Sequence, residues 1–253
     1  VSDHRSEARS AAPLGGENLA GQTALVTGAT SGIGRAIALA LAAEGAMVRA
    51  VARRRHALDA IVQEQPSIRA EPTDLLVDDD ITRLVRHVHA DWESLDILVH
   101  SAGIFARGAI ACAPVDVLDR LYGVNVRAPY VLTQALLPAL RRARGQIVFV
   151  NSSVVTSTGA SLAQYAATKH ALKAVADSLR CEVNDEGVRV ISIYPGRTAS
   201  PMQRHVHQLE ARPYRAADLL QPDDVASVAV HVLGLPRTAE ATDVHVRPMR
   251  TPA

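Results

Sequence analysis

A glycine-punctuated turn constrains this chain more than any other feature. Thr27-Gly28-Ala29-Thr30-Ser31-Gly32-Ile33-Gly34 follows the apolar run Thr23-Ala24-Leu25-Val26 and precedes the Ala/Leu/Ile stretch from Arg35 to Ala43. The pattern is a buried strand turning abruptly into a helix. Gly28, Gly32 and Gly34 clear side chains from that corner, so phosphate oxygens can reach backbone N–H groups at the positive end of the helix dipole. Thr30, Ser31 and Ile33 share the turn and enter the same candidate cofactor site. Glycine repeats alone are common, and it is the strand-turn-helix setting that makes this one a pyrophosphate grip.

Beyond the turn, apolar strand-like runs alternate with helical patterns. Strands are expected near 23–27, 47–52, 67–71, 96–100, 146–151, 188–194 and 243–247. Such alternation predicts an α/β, Rossmann-type doubly wound parallel sheet of about seven strands with helices on both faces. Crossovers are right-handed almost without exception, so ligands belong at the carboxyl ends of the strands. Residues 1–19 are expected to be a disordered tail, since Val1 to about Gly16 mix Ser, Arg, Glu, Ala, Pro and Gly without periodicity. Residues 20–253 are expected to form one domain for dinucleotide binding and catalysis.

Composition excludes several classes. The 253 residues are 48% hydrophobic with a net charge of +1, and no apolar run reaches membrane-spanning length. Nucleic-acid and membrane partners therefore gain no support. Cys112 and Cys181 stand far apart without a CxxC pattern. With no secretory apolar region in view, the expectation is a reducing, cytoplasmic setting without disulfides.

The second strand ends in Val51-Ala52-Arg53-Arg54-Arg55, where a carboxylate would accept from the ribose hydroxyls of NAD. Guanidinium groups of Arg53 or Arg54 instead suit a 2′-phosphate, so NADP(H) is expected to be preferred, with NAD(H) possible. A solvated charge run opening a helix is the other use of these arginines. Pro72-Thr73-Asp74-Leu75 fits an adenosine site, with Asp74 accepting from the adenine amino group; Asp74 could equally cap a helix beginning near Asp79. After the fourth strand, His100-Ser101-Ala102-Gly103 supplies small residues, so Ser101, Ala102 and Gly103 allow backbone to approach a ligand closely.

Chemistry concentrates in Tyr165-Ala166-Ala167-Thr168-Lys169. Four apart on a helix, the phenol and the ammonium lie one turn apart on the same face. Bringing a phenol from about 10 towards neutrality takes about 3–4 kcal/mol of preferential phenolate stabilisation, which a nearby lysine and an oxidised nicotinamide can supply. Tyr165 and Lys169 begin the stripe Leu172, Ala176, Leu179, Val183 instead of lying on the wet face. Lysine is scarce here: of the 27 basic residues only Lys169 and Lys173 are lysines. A packed ring under a snorkelling lysine is the bland alternative. The fifth strand, Gln146 to Val150, runs into Asn151-Ser152-Ser153 at the sheet's carboxyl edge, where a hydroxyl would receive a substrate oxygen.

Asn125 sits mid-helix on the stripe Leu118, Leu121, Tyr122, Pro129, Leu132, Leu136. Pro129 has no N–H to give the Asn125 carbonyl, so that oxygen is free for an ordered water linking Lys169 to solvent. The alternative is a buried amide that only ties neighbouring segments together.

Taken together, the chain resembles a short-chain dehydrogenase/reductase of about 250 residues. The likeness covers nearly everything after residue 20. It rests on the turn at Thr27–Gly34, Ala102-Gly103, Asn125, Ser152, Tyr165 with Lys169, and Pro195-Gly196 with Thr198. Ser152 matches the family spacing, being thirteen residues before Tyr165; Ser153 is the alternative. The resemblance implies an oxidoreductase that moves hydride between NADP(H) and a small-molecule carbonyl or secondary alcohol. In it Ser152 would polarise the carbonyl, Tyr165 exchange the proton, Lys169 orient the ribose and Asn125 hold the relay water. Pro195, Gly196 and Thr198 would line the nicotinamide pocket. It also implies a homodimer or homotetramer, for which the helices at 115–140 and 165–183 are the candidate faces. Two departures stand out: His100-Ser101 replaces the usual Asn-Asn, and the chain lacks the frequent Asp-Gly-Gly ending, which puts the fatty-acyl and steroid subgroups in doubt.

His87-x-His89 and His205-x-His207 place imidazoles two apart, on different sides of a helix and without a carboxylate or thiolate constellation, so no metal site is expected. The polar stretch from Ser200 to Leu220 reads as a mobile lid over the substrate. The rival function is a regulator that binds NADP(H) without turnover; it would need the glycine turn but not Tyr165, Lys169, Ser152 and Asn125 together.

Overall fold

In the computed structural model, residues 18–249 are described; the expected tail over 1–17 lies outside them. Elements follow as β1 (Thr23–Thr27), α1 (Gly32–Ala43), β2 (Met47–Ala52), α2 (Arg55–Glu64), β3 (Arg69–Pro72), α3 (Asp78–Asp91) and β4 (Ile97–His100). The second half runs α4 (Val115–Tyr122), α5 (Ala128–Ala143), β5 (Gln146–Val150), α6 (Ala163–Val183), β6 (Arg189–Pro195), α7 (Pro201–Leu209), α8 (Pro222–Leu233) and β7 (Asp243–Val246). The seven strands form one parallel sheet in the order β3-β2-β1-β4-β5-β6-β7. This is the doubly wound Rossmann-type fold the alternation predicts.

Strand side chains alternate between two layers, as a pleat requires. Ala24 and Val26 face α1 and α8, with Ile97, Val99, Val148, Ile191 and Ile193 beside them. Leu25 faces the opposite layer, where Leu98, Ile147, Phe149 and Val190 pack on α3, α5 and α6. Burial on both faces explains why the central strands read as unbroken apolar runs. Leu19, assigned by the sequence reading to the tail, is 3% exposed and packs in the first layer. One apolar side chain inside a polar stretch gives no periodicity to detect.

The helix expected over 115–140 is interrupted. A single wide turn over Gly123–Arg127 separates α4 from α5, with the Ala128 N–H donating five residues back to the Gly123 carbonyl. Pro129 supplies the cause, since it cannot donate within the usual ladder. Tyr122, placed by sequence on the buried stripe, is 51% exposed, because its position precedes this change of winding.

Strands β1 and β4 run side by side and parallel, but the chain goes on from β1 to β2 on one side and from β4 to β5 on the other, which opens a crevice at their carboxyl ends. Thr27 locks that crevice. Its Oγ1 accepts from the N–H groups of Ser101 (3.1 Å) and Ala102 (3.2 Å) and donates to the Val99 carbonyl (3.2 Å). Replacing Thr27 with valine keeps the shape but strands two amide donors. Thr27→Val is expected to cost about 1–3 kcal/mol in urea unfolding, with the denaturant dependence unchanged.

Candidate active site

Residues from six segments converge at the crevice. Gly28, Ser31, Gly32, Ile33 and Gly34 form one wall, Ser101, Ala102, Gly103 and Ile104 another, and Ser152, Tyr165 and Lys169 the floor. Pro195, Gly196 and Thr198 close it beyond β6. A second hollow continues past Gly28 and Ala102, lined by Thr30, Ser31, Arg53, Arg54, Asp74 and Leu75. Nearly every residue singled out from sequence lines one of these connected hollows, the exception being Asn125.

The glycine turn is built by contact. Gly28 has φ +69°, and a Cβ there would stand 2.8 Å from the Ala102 Cα; one on Gly34 would meet the Gly28 carbonyl oxygen at 2.5 Å. These are distances a side chain cannot share. The α1 N-terminus has neither a side-chain cap nor an acidic residue in its first turn. Its free N–H groups thus remain available to an anion, which fits a pyrophosphate.

At the far end, Arg55 is taken up by Asp59 (2.9 Å) and Arg35 by Glu64. Arg53 and Arg54 form no ion pair among the described residues. Asp74 is not the cap of α3: the capping position is Val77, and Asp78, Asp79 and Asp80 complement the helix dipole. The Asp74 carboxylate accepts from the Leu76 N–H at 3.0 Å, and its own N–H donates to Asp80 at 2.8 Å. This local turn presents Asp74 and Leu75 to the hollow.

On the floor, the Ser152 hydroxyl shares the crevice lining with the Tyr165 phenol and accepts from the Val154 N–H at 3.2 Å. Ser153 does not line the crevice. Phe105 meets the Tyr165 ring edge-on, centroids 4.9 Å apart. Burial pushes the phenol's pKa up, and the Ser152 hydroxyl offsets only part of that. The lowering expected from sequence is therefore not built into the protein alone. The Lys169 ammonium donates to the Val150 carbonyl at 3.1 Å, not to the phenol. Burial lowers the lysine to about 8.

Asn151, which sequence reading passed over, completes this clamp: its Nδ2 donates to the Lys169 carbonyl at 3.2 Å while Lys169 reaches back to Val150. Its place as the polar residue ending β5 beside Ser152 was the available signal. Asn125 stands behind the crevice. Its Oδ1 accepts from the Ile104 N–H (2.9 Å), and its Nδ2 donates to the Ile104 carbonyl (3.0 Å) and Thr168 Oγ1 (3.1 Å). The side chain is a tie between the wall after β4 and α6, and Pro129 has no N–H to give the Asn125 carbonyl.

The stretch expected to be a lid contains the helix α7, capped by the Ser200 side chain, which accepts from the Gln203 N–H. Its base is a paired rung: Thr198 bridges Leu220, Leu220 N–H donates to the Arg197 carbonyl (3.1 Å) and Ala199 N–H to the Leu220 carbonyl (2.8 Å). Ser200, Met202 and Gln203 face the crevice. His207 is buried against the Gln203 carbonyl at 2.9 Å. His87 bonds Glu71 at 2.9 Å. No group of three metal-ligating side chains occurs among the described residues, and no helix there is long and apolar enough to cross a membrane.

Known proteins resemble this chain in sequence and in fold. The short chain dehydrogenase family model matches residues 22–211. A short chain dehydrogenase of Pseudocercospora fijiensis is 37% identical over 73% of this chain, which spans 62% of that relative's length. Among solved structures, a Beutenbergia cavernae protein described as an NAD(P)-dependent gluconate 5-dehydrogenase, with NADP bound at low occupancy, is 29% identical. It superposes with a TM-score of 0.81 over 90% of this chain and 96% of its own. A 3-ketoacyl-(acyl-carrier-protein) reductase of Brucella melitensis in complex with NADH gives 28% identity and a TM-score of 0.81 over 90% and 97%. The chain belongs to the short-chain dehydrogenase family, a family of oxidoreductases.

His100, one of the two departures noted above, has a packing role. It stacks on Phe149 (4.9 Å between centroids), its Nε2 bonds Thr133 Oγ1 at 2.8 Å, and burial lowers its pKa from 6.5 to about 3. Between these values the unfolded chain binds a proton the folded chain refuses, so stability falls as pH drops below 6.5 and continues to fall towards 3. One such proton is worth up to about 1.4 kcal/mol per pH unit. Urea unfolding of the wild type at pH 7 and pH 5 is expected to show about 1–2 kcal/mol more loss than His100→Asn.

Proposed function

We propose that the protein interconverts a small-molecule carbonyl and its secondary alcohol with NADP(H) as hydride partner. Convergence carries this reading: a hydroxyl, a phenol and a buried ammonium meet at one crevice that continues into an anion-accepting helix end and two unpaired arginines. When bound, the cofactor supplies the hydride or, oxidised, accepts it. The Gly28 turn and the α1 N-terminus would hold the pyrophosphate, Asp74 and Leu75 would flank the adenine, and Arg53 and Arg54 would hold a 2′-phosphate. Ser101, Ala102 and Gly103 would lie against the ribose, and Pro195, Gly196 and Thr198 against the nicotinamide.

In reduction, Ser152 donates a hydrogen bond to the carbonyl oxygen and so stabilises the negative charge that develops there. Tyr165, a phenol protonated at neutral pH even without burial and raised further by it, passes its proton to that oxygen as the alcohol forms. The Lys169 ammonium, held on the Val150 carbonyl, would stabilise the phenolate left behind through its charge and would donate to the ribose hydroxyls of a bound cofactor. A water held on the Asn125 carbonyl would return a proton through Lys169. In oxidation the same atoms act in reverse, with phenolate favoured by positive charge from Lys169 and an oxidised nicotinamide.

Exposed Val115, Tyr122 and Tyr130 on and beside α4 and α5 support assembly as a homodimer or homotetramer. Free Cys112 and Cys181 support a reducing, cytoplasmic setting.

Tyr165→Phe is expected to lower NADPH consumption with a responsive carbonyl by about 10³-fold while leaving NADPH affinity within about 3-fold. Undiminished turnover in that variant would remove the phenol from the reaction; tight NADPH binding by a wild type that turns over no carbonyl would favour the regulator. Replacing both Arg53 and Arg54 with alanine is expected to raise the KM for NADPH by about 10–100-fold and that for NADH by less than about 3-fold. Equal effects on both cofactors would assign the two arginines to the solvated surface.

A further inference from the structure

We propose that the carbonyl substrate carries an anionic group, a carboxylate or a phosphate, which Arg107 reads at the mouth of the crevice. The inference rests on the hydride-transfer reading above and names its substrate class. The wall after β4 brings Ile104 to the crevice and Phe105 against Tyr165, and Arg107 stands two residues further along it. On the opposite side Gly196 and Thr198 line the crevice, with Arg197 between them. A single carboxylate joins the two sides. Glu210, which follows α7, accepts from Arg197 Nη1 and Nη2 at 2.8 and 2.9 Å and from Arg107 Nη1 at 3.3 Å.

The sharing is unequal, and that inequality carries the argument. Arg197 forms a short bidentate fork, so its charge is matched. Arg107 has one longer contact with an oxygen already committed to Arg197, leaving its remaining guanidinium N–H groups without a protein partner among the described residues. Glu210 thus positions Arg107 without neutralising it. The side chain of Glu210 is only 12% exposed, whereas that of Arg107, just outside the crevice lining, is 33% exposed to solvent.

Local charge points the same way. Residues 197–215 carry Arg197, Arg204, Arg212 and Arg215 against the one carboxylate Glu210, in a chain whose net charge is +1. A positive surplus beside a cleft draws in anions and is balanced when one binds. Arg107 contributes from the facing wall, so the anion would be held between the wall and the α7 segment with the carbonyl directed to Ser152 and Tyr165.

The test measures binding to protein saturated with NADP+ by titration calorimetry, alongside NADPH-dependent turnover. The probes are levulinate and its one-carbon-longer homologue against their methyl esters, and dihydroxyacetone phosphate against dihydroxyacetone. In at least one pair the anion is expected to bind about 10-fold tighter than its neutral partner; Arg107→Ala should shrink that gap to about 2-fold and Arg107→Lys restore part of it. The gap should also narrow as salt is raised. No anion preference in any pair, or a preference unmoved by Arg107→Ala, overturns the proposal. Anion-selective binding without turnover would uphold it while counting against hydride transfer, and turnover of the neutral compounds without selectivity would do the reverse.

Discussion

The crevice depends on how closely two turns approach where the chain leaves β1 and β4. Gly28 and Ala102 touch backbone to backbone, and the Thr27 hydroxyl takes up both amide groups that follow β4. A side chain at residue 28 would push the turns apart, widening the crevice and tilting the α1 N-terminus away from it. The glycine turn before α1 and the floor formed by Ser152, Tyr165 and Lys169 are therefore not independent features. Both are referenced to one contact between strands that pair side by side in register.

The floor repeats this logic with polar groups. Lys169 is a buried cation whose own backbone is held by Asn151 while its ammonium is held by Val150. Such reciprocal bonding limits the rotamers open to a flexible side chain, so the ammonium is in place before any ligand arrives. The wide turn before α5 serves the same end, since it lets Asn125 reach both Ile104 and Thr168. The phenol, by contrast, receives little help from the protein's own charges. Burial holds its proton in place, which suits proton donation and makes proton removal dependent on charge supplied from outside the chain.

Most of the fold was legible because its information is local or periodic. Strands buried on two faces read as apolar runs, the glycine turn is contiguous, and Tyr165 and Lys169 sit one helical turn apart. Pro129 was read for the donor it lacks, but the change of winding over Gly123–Arg127 that accompanies it was not, since one continuous helix was expected over 115–140. What escaped reading depends on pairings distant in sequence. Leu19 joins the core through packing on other segments, and Asn151 earns its place only because α6 lies beside β5. Asp74 carried two meanings until the position of Val77 decided against the cap. Glu210 and Arg107 are 103 residues apart, and no pattern in either neighbourhood links them. Burial raises the Tyr165 phenol, and helical spacing alone does not reveal that the Lys169 ammonium bonds the Val150 carbonyl; the lowering expected of lysine and oxidised nicotinamide together concerns the cofactor-bound protein.

The paired rung between Thr198 and Leu220 has an evolutionary consequence. Because the segment between them begins and ends at one pairing beyond β6, between strands and not within one, it behaves as an interchangeable cassette. Residues there can be swapped, lengthened or recharged without moving the register of any strand. A lineage can retune what it recognises while its redox machinery stays fixed, and a laboratory graft at the same seam has the same freedom.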